Sequence, residues 1–217
     1  GTGVGKSLAY CAPAIAIALA RGTRVLISTA TVALQEQLVH KDLPALAAQM
    51  EQPFKFALAK GRGRYVCKLK LERLAGTGEA HGEDDDDLFP EEAAHARGKP
   101  SRQETEARMQ FYASMAQALA QGGWDGDRDS LDTPPEPEAW SPVAAEGSSC
   151  TGRHCPAFGQ CVYYDQRKAL VGAQVIVANH DLLLSSLGAR VLPELDNCLL
   201  VLDEAHHLPA TALDQFA

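Results

Sequence analysis

Apolar runs and amphipathic segments alternate along the first sixty residues of the chain. After GTGVGKS at 1–7, the stretch SLAYCAPAIAIALARG predicts an Ala-rich helix that ends at Gly22, a residue common just past a helix end. RVLISTA predicts a buried strand, TVALQEQLV a second helix with Thr31 as its N-cap, and FKFALAKG another strand. This alternation is typical of an α/β fold with a parallel sheet.

The alternation stops after Lys60. A basic segment, KGRGRYVCKLKLERL, leads into the acidic stretch GTGEAHGEDDDDLFPEE, whose composition predicts a solvated loop. We expect a helix at 103–121. We expect no regular structure in the proline-rich segment 132–142, because prolines remove hydrogen-bond donors and fix φ.

The alternation resumes in the last quarter of the chain. CVYYDQRKALVGA predicts a helix that ends near Gly172, and QVIVANH and NCLLVLDEAHH predict two more strands. The sequence therefore predicts an α/β core built from 1–60 and 162–217, interrupted by an inserted, cysteine-bearing module at 61–161.

Composition excludes several classes of protein. The chain has 217 residues, of which 46% are hydrophobic and 22% charged, ordinary values for a soluble globular protein. It contains no run of about 18 apolar residues, as a membrane-spanning helix would need. The apolar stretch near its start is not preceded by the positively charged segment of a signal peptide. We therefore expect a cytoplasmic protein without a membrane partner, and separately we expect it to be monomeric. In that reducing compartment clustered cysteines hold metals more often than they form disulfides.

Charge is unevenly distributed along the chain, although the formal net charge is −8. Through Ala75 eleven Lys or Arg residues stand against four Asp or Glu, a net of +7, and from Gly76 onward nine stand against twenty-four, a net of −15. A nucleic-acid partner would therefore meet a local basic surface rather than the charge of the whole chain.

GTGVGKS fits the phosphate-binding pattern G-x-x-x-x-G-K-[ST] except for its first residue, which would precede the start of this sequence. We therefore expect the chain to be a fragment of a longer protein. Glycines let backbone N–H groups approach phosphates, Lys6 would reach the β- and γ-phosphates of ATP, and Ser7 would bind Mg²⁺. The predicted nucleotide-binding residues are Gly1, Thr2, Gly3, Val4, Gly5, Lys6 and Ser7.

A second part of a nucleotide site follows the strand LLVL. Asp203 would hold Mg²⁺, mostly through water, and Glu204 would position or deprotonate the attacking water. A strand that ends in Asp-Glu is a weak signal alone and a strong one beside GKS. The adjacent His206 suggests a link between the γ-phosphate and motion elsewhere, although a plain surface histidine is the alternative.

Four cysteines have a spacing that indicates a metal site. Cys150, Cys155 and Cys161 lie on one polar loop, and Cys67 lies upstream where the alternation stops, which gives C-x82-C-x4-C-x5-C. Zinc sites usually show two close pairs, so this open layout favours an iron–sulfur cluster and leaves zinc as the alternative. Two further cysteines, one in the first helix and one in the last strand, are expected in the core.

Basic residues surround Cys67, and the stretch includes one aromatic residue. Arg62, Arg64 and Tyr65 offer charge for phosphates and a ring for a base, which suits single-stranded nucleic acid. The alternative is an ordinary solvated basic face with a core tyrosine.

Together GTGVGKS, KGRGRYVC, the cysteine loop, VIVANHDLLL and LLVLDEAHHLP resemble the iron–sulfur superfamily 2 DNA helicases of the XPD-like group. The resemblance covers nearly the whole chain. It implies a RecA-like P-loop domain with helices on both faces of its sheet. It also implies a [4Fe–4S] cluster on the four cysteines, and an ATP- and Mg²⁺-dependent 5′→3′ helicase that acts on single-stranded and on forked or structured DNA in repair or replication.

The resemblance also implies roles for particular residues. Lys6, Asp203, Glu204 and His206 match catalytic motif positions. STATVALQEQL is similar to the motif that touches the DNA backbone, where Thr29, Thr31 and Gln35 are the candidates. The adenine-binding segment, the second motor domain and most of the arch domain of such helicases have no counterpart here, so we expect this fragment alone not to unwind DNA.

Two other functions remain open from the sequence. One is a DEAH-type P-loop ATPase with structural zinc that acts on RNA or protein. The other is a non-catalytic fragment that binds only metal and single strands.

Overall fold

The structure, a computed structural model, describes residues 5–76, 102–189, 192 and 196–216. Residues 1–4 of the phosphate motif, and all but the first residue of the acidic stretch expected to be a loop, lie outside these ranges. The chain divides into two compact units, one formed by Gly1–Gly61 and Tyr164–Ala217 and the other by Arg62–Tyr163.

The first unit alternates helices with strands. In chain order its elements are α1 (Lys6–Arg21), β1 (Arg24–Thr29), α2 (Val32–Gln37), a π-helical turn (Leu38–Asp42), α3 (Leu43–Gln49), β2 (Phe56–Leu58), most of α7 (Val162–Gly172), β3 (Val175–Asn179), α8 (His180–Ala189), β4 (Cys198–Leu202), a 3₁₀ turn (Ala205–His207) and α9 (Leu208–Phe216).

The four strands form one parallel sheet in the order β2-β3-β1-β4. The predicted α/β class with a parallel sheet is therefore confirmed. Thr29 lies opposite Asn179, and Ser28 lies opposite Leu202. The carboxyl ends of β3, β1 and β4 consequently meet at one edge of the sheet, where open α/β sheets bind ligands.

Each face of this sheet packs against helices, because successive strand residues point to opposite sides. Val25 and Ile27 of β1 lie in one apolar cluster with α1, the π-helical turn and α3. Leu26, between them, lies in a second cluster with residues of α7 and α8.

The helix after β1 is longer than predicted. Thr31 caps α2 by accepting a hydrogen bond from the backbone N–H of Leu34 at 3.3 Å, as expected. The helix then continues through the π-helical turn into α3, whose second residue is a proline. That proline has no N–H to donate, so it interrupts the regular intrahelical hydrogen bonding, and the π-helical turn, in which the N–H of Leu43 donates to the carbonyl of Leu38, lies directly before it.

The second unit contains α4 (Lys68–Leu74), α5 (Arg102–Ala120), α6 (Pro137–Trp140) and five 3₁₀ turns among its described residues. Its apolar core includes Val66, Leu71, Tyr112, Trp124 and Trp140. The indole N–H groups of Trp124 and Trp140 donate to the carbonyls of Asp127 and Gly63. Buried tryptophans with satisfied N–H groups stabilise a small core.

The expectation of no regular structure at 132–142 was wrong. Pro137 begins the short helix α6, and a 3₁₀ turn, Ser141–Val143, follows it. Proline at a first helical position loses no hydrogen bond, and burial of Trp140 holds the segment in place.

Gly126 is one position where the second unit requires glycine. Its φ is 82°, and an added Cβ would approach a Cγ atom of Val162 to 2.6 Å. A side chain there would need both a left-handed backbone and space that Val162 occupies.

Candidate functional site

The described end of the phosphate motif forms the start of α1. Gly5 has φ 108° and ψ −20°, a conformation that favours glycine, and Lys6 is the first helical residue. Lys6 is exposed, whereas Ser7 is only 5% exposed. The motif thus presents a lysine to solvent at a helix N-terminus, where unpaired N–H groups favour anions.

The two acids lie just past the carboxyl end of β4. The backbone N–H of Asp203 donates to the carbonyl of Ser28 at 2.9 Å, which extends the pairing of β4 with β1 by one residue. Glu204 then turns the chain with φ 53° and ψ 41°. Among the residues that the structure describes, it is the only non-glycine with positive φ. Such strained conformations cluster at functional sites.

A hydrogen bond joins α1, the helix that begins in the phosphate motif, to the acids that follow β4. We call these the phosphate-motif helix and the acid strand. The hydroxyl of Tyr10 donates to Oδ2 of Asp203 at 3.0 Å, and the Ser7 side chain lies near enough to the same hydroxyl to affect its pKa. Burial and the nearby Asp203 carboxylate raise the pKa of Tyr10 above its usual value, so the phenol stays protonated and remains a donor. The structure therefore brings Ser7 and Asp203, both predicted from sequence, to one side chain.

Three residues of this region were not among the sequence predictions: Tyr10, Ser28 and His180. The hydroxyl of Ser28 lies 2.7 Å from Nδ1 of His180, and the pair is buried. Tyr10 follows Ser7 by three residues, so helical spacing alone placed both on one face. Its contact with a residue 193 positions away gave no local signal.

His206 and His207 lie in the 3₁₀ turn after Glu204. Both are exposed, and their ring centroids are 4.1 Å apart. The backbone N–H of His207 donates to the carbonyl of Glu204 at 3.0 Å. The turn thus places His206 two residues after Glu204. The predicted role of His206, to link the γ-phosphate to motion elsewhere, stays a prediction.

All six cysteines are free thiols, and the four predicted metal ligands lie in the second unit. Cys150 is exposed, and Cys67, Cys155 and Cys161 are partly exposed. Lys68 contacts the side chain of Gln160, so the neighbours of Cys67 and Cys161 meet. Within the described ranges, however, no three His, Cys, Asp or Glu side chains form a group able to hold a metal ion.

The cysteine loop is shaped by two 3₁₀ turns, Gly152–His154 and Phe158–Gln160. The backbone N–H of Gly152 points to Sγ of Cys150 at 3.4 Å. Backbone N–H groups directed at sulfur stabilise thiolates, as in iron–sulfur sites. Four cysteine thiols and an N–H directed at sulfur have the chemistry that an iron–sulfur cluster requires. The four thiols, all of them among the described residues, do not, however, lie together as a metal-binding group in the structure.

Cys11, expected in the core, is fully buried. Burial raises the pKa of its thiol to about 12, and nearby Asp42 and Asp203 act in the same direction. This cysteine is therefore a neutral apolar residue at physiological pH. Cys198 is only partly buried at the start of β4.

The candidate DNA contacts in the first unit differ in exposure. Thr29 is buried, and its hydroxyl donates to the carbonyl of Thr31 at 3.2 Å. Gln35 is 3% exposed, and its side-chain nitrogen has no hydrogen-bond partner in the structure. Thr31 alone of the three is exposed, at the N-cap of α2.

The candidates in the second unit are engaged within that unit. The guanidinium of Arg62 lies 4.2 Å from the ring centroid of Tyr163, and Arg64 pairs with Asp129 at 3.0 Å. Tyr65 is 4% exposed, and its ring packs 6.0 Å from that of Tyr163. A ring this buried offers no open face to a base, so the structure favours the core-residue alternative.

Acids compensate much of the remaining basic stretch. Lys70 pairs with Glu146 at 2.8 Å, and Lys68 lies 3.6 Å from Glu72. The pair with Lys70 lowers the pKa of Glu146. The hydrogen bond from Lys70 has the larger effect, and the positive charge of Lys70 has the smaller. The positive charge of the linear sequence is therefore smaller at this surface than residue counting indicates.

A phosphate-motif helix beside a strand that is followed by Asp-Glu, on a parallel sheet, is typical of P-loop nucleotide-binding proteins. The DEAD_2 family model matches residues 151–216, which include Cys155, Cys161 and β4 with the two acids that follow it.

The chain is similar over almost all of its length to helicases named DinG. It is 41% identical over 217 residues to the ATP-dependent DNA helicase DinG of Photobacterium profundum, covering 99% of this chain and 29% of that protein. It is 39% identical over 219 residues to DinG of Escherichia coli K12, and 38% identical over 219 residues to that of Salmonella typhimurium. These alignments cover 98% of this chain and 28% and 29% of the two relatives.

The matches confirm the resemblance to the XPD-like helicases, and this chain aligns with one segment of the DinG relatives. The chain spans less than a third of the length of these relatives. None of the described helices is long and apolar enough to cross a membrane.

Proposed function

We propose that this chain is part of the first, RecA-like motor domain of a DinG-type, ATP-dependent 5′→3′ DNA helicase. The observation that carries the proposal is the hydrogen bond from Tyr10 to Asp203, which brings the acid strand against the phosphate-motif helix. The names and the identities of the relatives support helicase activity for the full-length protein.

The residues at the sheet edge divide the chemistry of ATP hydrolysis among them. The Lys6 ammonium neutralises the β- and γ-phosphates, and Ser7 and Asp203 offer the oxygen ligands that Mg²⁺ prefers. Bound Mg²⁺ would reduce the charge that the phosphates present to an attacking water. Glu204 orients that water and accepts its proton. His206 would connect this event to motion elsewhere.

The two compact units support the assignment of two different functions to two parts of this chain. We assign the unit with the parallel sheet to the motor domain, and Arg62–Tyr163 to an inserted iron–sulfur module. The division falls within a few residues of the predicted insertion at 61–161. Free thiols throughout suit a reducing cytoplasm, and we propose a monomer there.

We further propose that Cys67, Cys150, Cys155 and Cys161 hold a [4Fe–4S] cluster. The cluster would cross-link the start and the end of the module, because Cys67 precedes α4 and Cys161 precedes α7. Four free thiols in one unit, two of them with contacting neighbours, support this assignment.

Cys155→Ser is expected to abolish the cluster in the full-length protein. The wild type purified without oxygen should be brown, with about four iron and four sulfide per chain, and the variant should lose iron because a ligand is missing. Iron and sulfide analysis with the visible spectrum measures this. Cys198→Ser, which changes a partly buried thiol of the other unit, is the control and should keep the iron.

Stoichiometric zinc without iron after the same preparation would contradict the cluster. That result would favour the DEAH-type ATPase with structural zinc. Loss of iron in both cysteine variants would show a general effect of thiol removal and would also count against the ligand assignment.

Single-stranded DNA, alone or in forks and other structures, is the proposed nucleic-acid partner. Thr31 and the exposed Arg64 are the most accessible of the predicted contacts. Thr29 and Gln35 are buried, so they would act by shaping the loop after β1 rather than by touching DNA in this conformation.

Lys6→Ala tests the proposed motor function in the full-length protein. The wild-type protein should hydrolyse ATP, and the rate of hydrolysis should rise when single-stranded DNA is added. The variant should lose about 100-fold or more of this rate, because a phosphate-binding charge is removed. Coupled ATPase assays with and without DNA measure both. Lys41→Ala, an exposed lysine change within the π-helical turn, is the control. Wild type without DNA-stimulated hydrolysis would contradict the proposal.

A further inference from the structure

The main chain of Asp203 is held at the sheet edge. Its N–H donates to the Ser28 carbonyl at 2.9 Å, and Ser28 itself lies opposite Leu202 in the β1–β4 pairing. Ser28 is fixed in turn by its hydroxyl, 2.7 Å from Nδ1 of the buried His180. Because the backbone is fixed, the orientation of the Asp203 carboxylate depends on its side-chain contacts.

Tyr10 supplies the contact that orients this carboxylate. Its hydroxyl donates to Oδ2 at 3.0 Å from the second turn of α1. Tyr10 is partly buried, and Ser7 lies one turn earlier on the same helix face, near the same hydroxyl. One phenol thus lies beside both side chains that the proposed function assigns to Mg²⁺, and it hydrogen-bonds one of them, Asp203.

We propose that Tyr10 is a positioning residue that holds the Asp203 carboxylate, close to Ser7, in place for Mg²⁺ before nucleotide binds. This inference rests on the proposed function. A carboxylate has about four lone-pair sites, so one bond to Oδ2 leaves the others available to a metal-bound water. A side chain that is already ordered loses less conformational freedom on binding, which favours the bound state.

Tyr10→Phe removes the hydroxyl and keeps the ring, so the helix packing is retained. In the full-length protein, the Mg²⁺ concentration that gives half-maximal binding of a fluorescent ADP analogue should rise about three- to tenfold, the worth of one hydrogen bond. Binding of the same analogue in EDTA should not change. A purely structural role of Tyr10 would change both measurements together.

Tyr112→Phe is the matched control. It removes another partly buried hydroxyl whose hydrogen bond, to the carbonyl of Ala139, is also 3.0 Å long. It should leave the Mg²⁺ requirement at the wild-type value. Unfolding midpoints of the two variants show the cost to the fold of losing such a bond.

An unchanged or lower Mg²⁺ requirement in Tyr10→Phe would overturn the proposal, as would an equal loss of binding in EDTA. Failure of the proposed function looks different. In that case wild type itself would neither bind the analogue with Mg²⁺ nor hydrolyse ATP in the presence of single-stranded DNA.

Discussion

Glu204→Gln in the full-length protein is expected to lower ATP hydrolysis by about 100- to 10,000-fold and to leave ATP binding unchanged. Glutamine keeps the size of the side chain and can still hold a water, but its amide cannot accept the proton. The backbone at Glu204 is left-handed, with φ 53°, and the substitution does not alter this strain.

The measurement pairs single-turnover hydrolysis with equilibrium binding of ATP. Glu51→Gln, which removes the same charge from an exposed residue of the same unit, is the control and should behave as wild type. Weakened ATP binding to the same degree as hydrolysis would show that Glu204 contributes to binding, and the assignment as general base would then be wrong.

Tyr65→Ala is expected to destabilise the second unit by about 3–5 kcal/mol, the usual cost of truncating a buried aromatic residue. The ring is 4% exposed and packs against Tyr163. The backbone of Tyr65 forms a bridge with Asp127 and accepts a hydrogen bond from the N–H of Ala145. Losing the ring would therefore loosen the segment that leads to Cys67.

Hydrogen exchange across Arg62–Tyr163 and iron content measure this effect. Tyr65→Phe keeps the ring and should remain close to wild type in both. If Tyr65→Ala instead kept native protection and iron but weakened single-strand binding by about 1–3 kcal/mol, the ring would stack on a base, and its assignment to the core would be wrong.

Arg64→Ala completes this comparison. Its pair with Asp129 is partly exposed, so the loss should cost at most about 1 kcal/mol of stability. If Arg64 contacts a phosphate, the variant should lower the salt dependence of single-strand binding by about one contact, a slope change near 0.7.

The strands of the first unit could be predicted from sequence because each is a short apolar run between polar segments. RVLIST, VIVAN and CLLVL lie where the hydrophobic pattern placed them. The order β2-β3-β1-β4 was not predictable from these runs, since it depends on pairing across the inserted unit. The prolines of 132–142 likewise led us to predict no regular structure where α6 lies, because the burial of Trp140 that holds this helix in place cannot be read from local sequence.

The two ends of the proposed nucleotide site could be predicted from sequence, and the hydrogen bond that connects them could not. Lys6 and Asp203 belong to motifs of local sequence, whereas Tyr10 acts through a partner 193 residues away. The basic stretch shows the same limit. Arg64 and Lys70 look free in sequence, but Asp129 and Glu146 pair with them from 65 and 76 residues away.

Strand separation by the full-length protein tests the central claim most directly. Duplexes that carry a single-stranded 5′ tail or 3′ tail are incubated with ATP and Mg²⁺, and the released strand is measured. We expect release from the 5′-tailed duplex only, and none when Lys6→Ala replaces wild type. Release from the 3′-tailed duplex alone would contradict the 5′→3′ direction, and no release from either duplex would contradict the helicase function.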